Sequence, residues 1–122
     1  MPTPGHGGYA PRGVLPHELA NARAVIGALD PTTVTWLHNC GLPVRSTQAD
    51  RMNTQITTTG TLTATTALTA ARALYHHLTD VIRDNPTATP DGRRHIVAVI
   101  NTLAQLVWSL TGQNDQEQDI PA

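Results

Sequence analysis

Residues 96–110 constrain this chain more than any other stretch, because on a helical projection they are apolar around most of the circumference. Asn101, Gln105 and Ser109 form one narrow polar stripe, and Ile96, Val97, Val99, Ile100, Leu103, Leu106, Val107, Trp108 and Leu110 fill the rest. A helix of this kind needs cover on several sides. In a small chain the cover comes from its own other helices or from a second copy, so the feature bears on architecture and assembly rather than on chemistry.

The chain has 122 residues, enough for one domain with a single core. Its formal charge of −1 supplies no global field to hold nucleic acid or an anionic membrane, so a binder of either would rely on a local patch. All eight basic residues are arginine and phenylalanine is absent, which fits a GC-rich coding sequence better than a selected need for guanidinium chemistry. Cys40 is the only cysteine, which excludes an intramolecular disulfide and a zinc knuckle and fits a reducing cytoplasm, the expected location. The first fifteen residues are rich in proline and glycine and lack the basic-then-apolar order of a signal peptide. The apolar run at 96–110 is shorter than the roughly 20 residues that a bilayer requires and contains Asn101 and Gln105, so no membrane partner is expected.

Prolines at 2, 4, 11, 16, 31, 43, 86, 90 and 121 divide the chain, and the gaps between them are the candidate helices. Residues 1–15 read as a flexible arm, 16–112 as the domain and 113–122 as an acidic flexible tail. A first helix is expected over 16–29, with Pro16 in its first turn and Leu19, Ala22, Val25, Ile26 and Leu29 at helical spacing. Asp30 and Pro31 then read as an N-cap and first helical residue, opening a short helix that stops at Gly41. The next proline-free span starts at Ser46 or Thr47 and reads as helical to about Arg83. Its second half carries Ala67, Leu68, Ala71, Leu74, Tyr75, Leu78, Val81 and Ile82 on one arc. Its first half is less decided: nine threonines and Gly60 fall within 54–69, and the alternative there is a hairpin turning near Gly60. Thr89, Pro90 and Asp91 start the last helix, which ends near Gly112.

These elements make an all-α chain: a small bundle of about four helices, with a long third helix and the apolar final helix packed as an antiparallel hairpin. At about 1.5 Å per residue the long helix would reach about 55 Å against about 32 Å for the last one. That overhang is covered by the first two helices, covered by a partner chain, or removed by a break at Gly60.

Candidate chemistry is sparse. His77, Asp80 and Asp84 group on one flank of the polar arc of the third helix and are the weak candidates for a metal; the spacing does not decide whether His95 on the next helix reaches them, and His76 points elsewhere. A closed site needs three or four convergent ligands, and a solvated polar face explains the group better. Cys40 has His38 nearby but no third orienting group, and reads as structural. Glu18 and Glu117 are the only glutamates, which disfavours paired-glutamate chemistry, and no glycine-rich phosphate loop follows a strand. No catalytic residue and no cofactor are expected.

The leading expectation is a non-catalytic interaction module that acts by burying apolar helix faces. Its partner is a second copy in a homodimer, or another helical protein. The expected contact residues are Leu68, Ala71, Tyr75 and Leu78 on the long helix and Ile96, Ile100, Leu103, Val107, Trp108 and Leu110 on the last. The alternative is a helix-turn-helix over 33–53 that binds DNA through Arg45, Gln48, Arg51 and Asn53. That reading requires Gln48, Arg51 and Asn53 to be exposed together on one convex surface.

Overall fold

A computed structural model describes residues 12–112. Within them the chain forms α1 (Pro16–Ala28), α2 (Pro31–Asn39), α3 (Thr47–Thr59), α4 (Ala64–Asp84) and α5 (Pro90–Leu110). Three of the five open on a proline at the start of the helix, where its missing N–H costs nothing. The Asp30 carboxylate accepts the Thr33 N–H at 2.8 Å, and the Thr89 hydroxyl accepts the Gly92 N–H at 3.3 Å. Both caps stand where the sequence places them.

The expected long third helix is two helices, α3 and α4. Gly60 takes a left-handed conformation, φ +80°, and ends α3, so the threonine-rich stretch is neither continuous helix nor hairpin. Short hydroxyl side chains suit the corner that results. The Thr59 hydroxyl lies within hydrogen-bond distance of the carbonyls of Gln55 and Thr61, to either of which it can donate, while the Thr63 hydroxyl accepts the Thr66 N–H at 3.2 Å and caps α4. Gln55 Oε1 braces the turn by accepting the Thr63 N–H at 2.7 Å. The break removes the overhang.

Four helices close a ring in which α5 packs on α4 and α1, and α3 packs on the other sides of the same two. Leu29, Met52, Leu74, Leu78, Ile96, Leu103 and Leu106 fill its centre. The small Ala67, Ala70 and Ala71 of α4 are buried as well. The short α2 stands outside the ring, inserts Leu37 into the core, and leads into a loop that meets the start of α5. There Cys40 O accepts the Thr89 N–H at 3.0 Å.

Of the arm expected over 1–15, residues 12–15 run beside the α3–α4 corner: Val14 N–H donates to Leu62 O at 3.1 Å, and Ala64 N–H to Arg12 O at 2.7 Å. Residues 1–11, and the tail 113–122, lie outside the described residues.

Ser109 is not part of an outward polar stripe. Steps of four residues advance about 40° around a helix, so by Ser109 the line begun at Asn101 has rotated onto the α1 side. Ser109 is buried and donates its hydroxyl to Glu18, whose side chain is fully buried. Arg12 meets the same carboxylate at 3.0 Å and the Leu15 N–H donates to it at 2.8 Å. Burial alone would raise the Glu18 pKa, but hydrogen bonds from Arg12, Ser109 and Leu15 and the charge of Arg12 outweigh it and hold the group at about 2. His17 Nε2 lies 3.2 Å from the Ser109 hydroxyl and adds a fourth side chain to the group.

A Cβ at Gly92 would stand 2.7 Å from Cys40 Cβ and 3.0 Å from Leu42 Cδ1, whereas one at Gly27 meets nothing within 4 Å. Gly92→Ala should therefore destabilise the fold by about 1–3 kcal/mol, and Gly27→Ala should stabilise it by about 0.5–1 kcal/mol, in urea unfolding. Because the Glu18 pKa is depressed from 4.5 to about 2, its contribution is complete above about pH 4.5 and is lost as the pH falls toward 2. Glu18→Gln should cost on the order of 3 kcal/mol at pH 7 and abolish that part of the acid dependence, measured by urea unfolding at pH 7 and pH 3.

Candidate interaction surface

The outer seam between α4 and α5 carries a run of apolar side chains at the surface. Leu68, Tyr75 and Ile82 recur every seven residues along α4, and Ile100 and Val107 do so along α5; each is half-buried against the core. Beyond them α5 turns Val97, Ala104 and Trp108 outward, with Val97 46 % and Trp108 55 % exposed. A hollow of about 340 Å³ lies between the helices at the Trp108 end, lined by Arg72, Tyr75, His76, Ala104, Val107, Trp108 and Thr111. At the opposite end Val97 and Ala98 border a wider, open groove with Pro86, Pro90, Arg93 and Arg94.

This divides the expected contact set. Ala71 and Leu78 on α4, and Ile96, Leu103 and Leu110 on α5, are buried within the chain where the helices of the ring cover one another, and they are not available to a partner. Leu68, Tyr75, Ile100, Val107 and Trp108 remain at the surface, and the exposed Val97 and Ala104 join them. Val97 was legible as apolar from the projection; its outward direction depends on which sides α1 and α4 occupy.

The residues of the DNA-binding alternative do not share one surface. Arg45, Arg51 and Asn53 are exposed, but Gln48 is half-buried, with its Oε1 enclosed against the bundle. The main packing partners of α3 are α4 and α1, rather than α2 as a helix-turn-helix requires.

The weak metal candidates are each engaged elsewhere. His77 Nε2 accepts the Arg45 backbone N–H at 2.9 Å, Arg83 pairs with Asp80 at 2.9 Å and with Asp84 at 3.2 Å, and His95 Nε2 donates to Ala28 O at 2.8 Å. Among the described residues no three histidine, cysteine or acidic side chains gather as ligands of a metal ion. Cys40 is buried against Gly92. Also among the described residues, no helix is long and apolar enough to cross a membrane.

Comparison with protein families, with curated proteins and with solved structures finds no match to this chain.

Proposed function

We propose that this protein is a non-catalytic interaction module, and that its partner is a second copy docked on the α4–α5 seam. The observation that carries the reading is the seam itself, where half-buried aliphatic side chains continue outward into Val97, Ala104 and Trp108. Aromatic anchors beside a shallow hollow are the usual energetic centres of such contacts.

Charge along α4 favours a second copy. Arg72, His76 and Asp80 follow at four-residue steps on its exposed side, so a two-fold axis near His76, with the two α4 helices antiparallel, sets Arg72 of each chain against Asp80 of the other. Within one chain Asp80 pairs with Arg83, an exposed contact of small worth that a partner could readily exchange.

Light scattering on a size-exclusion column should give twice the chain mass of 13.1 kDa at high protein concentration. Trp108→Asp should keep the helical circular dichroism and halve the mass, since Trp108 lies outside the core, whereas Leu103→Asp should unfold the chain. Arg72→Asp should weaken the dimer, and Arg72→Asp combined with Asp80→Arg should restore it. A parent protein that stays at one chain mass at every concentration overturns the reading.

A further inference from the structure

Arg72, His76 and Asp80 share one exposed row of α4, and His76 is its middle member. The His76 ring stands edge-on to Tyr75, with ring centroids 5.8 Å apart, and with Arg72 and Trp108 it borders the hollow at the Trp108 end of the seam. It therefore belongs to the docking surface itself.

A two-fold axis treats the members of this row differently. An isologous contact brings residue i of one chain to residue j of the other and j to i, so Arg72 and Asp80 exchange partners across the axis. A residue on the axis has only its own copy to meet. Packed helices lie about 8–10 Å apart, close enough for two imidazole rings that face each other to touch. Arginine and aspartate keep their charges near neutral pH, whereas imidazole is the side chain whose charge ordinarily changes between about pH 5 and 8.

The surrounding charges set the sign of the effect. On α4, His76 has Arg72 one turn before it and Asp80 one turn after it, and Asp80 is engaged within the chain by Arg83 at 2.9 Å. Tyr75 and His77 adjoin it in sequence, but the His77 ring is turned to the Arg45 backbone on another element. From α5 the hollow receives Ala104, Val107, Trp108 and Thr111, which bring no charge. In the paired chains the two Arg72 and the two Asp80 balance across the axis. Neutral His76 rings leave that balance intact, and two imidazolium rings place two like charges at one point with no anion left over to meet them.

We propose that His76 makes the association of two copies pH-dependent: the dimer forms with both His76 rings neutral and weakens as they take up protons. This inference rests on the dimer reading and adds the regulation of that same surface.

The test is sedimentation equilibrium of the full chain from pH 8 to pH 5.5, at constant ionic strength and with a chelator present so that no metal bridges the histidines. The dimer Kd should rise at least about tenfold over that range while the helical circular dichroism is unchanged. His76→Gln, at an exposed position, should remain dimeric with a Kd that moves less than about threefold, and His76→Arg should be weakened at pH 8 as well. A parent dimer whose Kd moves less than about threefold, or a His76→Gln dimer with the parent's pH dependence, overturns the inference and leaves the dimer reading standing. A dimer that tightens as the pH falls also overturns it, because that behaviour belongs to an axis two residues further along α4, which sets His76 of each chain against Asp80 of the other. Parent and His76→Gln chains that are both monomeric at pH 8 overturn the dimer reading, and this inference with it.

Discussion

The need of α5 to be covered organises this molecule. A helix that presents Ile96, Val99, Leu103, Leu106 and Leu110 to its neighbours is costly in water, since each large aliphatic side chain gains roughly 1.5–3 kcal/mol by burial. One helix cannot enclose so wide a face. Two do so here: α4 takes one flank and α1 the other, and α3 bridges those two from behind. The outward direction of Val97 and Trp108 is a consequence, since they occupy the arc that neither neighbour covers.

Helix boundaries were the most legible part of this fold, because they rest on local chemistry. Pro16, the Asp30–Pro31 pair and the Thr89–Pro90 pair each start a helix where the sequence places one. Gly60 was legible only as a choice among three outcomes. Its neighbours decide it: Thr59 and Thr63 supply hydroxyls that satisfy a corner, and threonine has little stake in continuing a helix. Periodicity also identified the apolar faces of α4 and α5, but it could not say which apolar residues meet their own chain. Ala71 and Leu103 went inward and Trp108 outward, and that division needs the directions of α1 and α4.

Polar groups were harder to read. Glu18 looked like an ordinary first-turn acid, and Ser109 like one position of an exposed stripe, yet they meet across most of the chain's length. The only available hint was local: an acid three residues after Leu15 is placed to accept that residue's N–H. His77 and Arg45 posed the same difficulty, since a histidine beside two aspartates in sequence suggests a ligand set, while the fold turns its ring to a backbone amide on another element. Helical spacing locates a side chain on its own helix and is silent about what the next helix brings.

The contact between Glu18 and Ser109 joins residues 91 positions apart, whereas α3, α4 and α5 meet across short turns. Bringing together segments so far apart in sequence carries a loop-closure entropy that a short turn does not. The joint between α1 and α5 is thus the least local seam of the ring. A carboxylate held ionised by Arg12 serves there as the clasp that keeps an expensive closure shut.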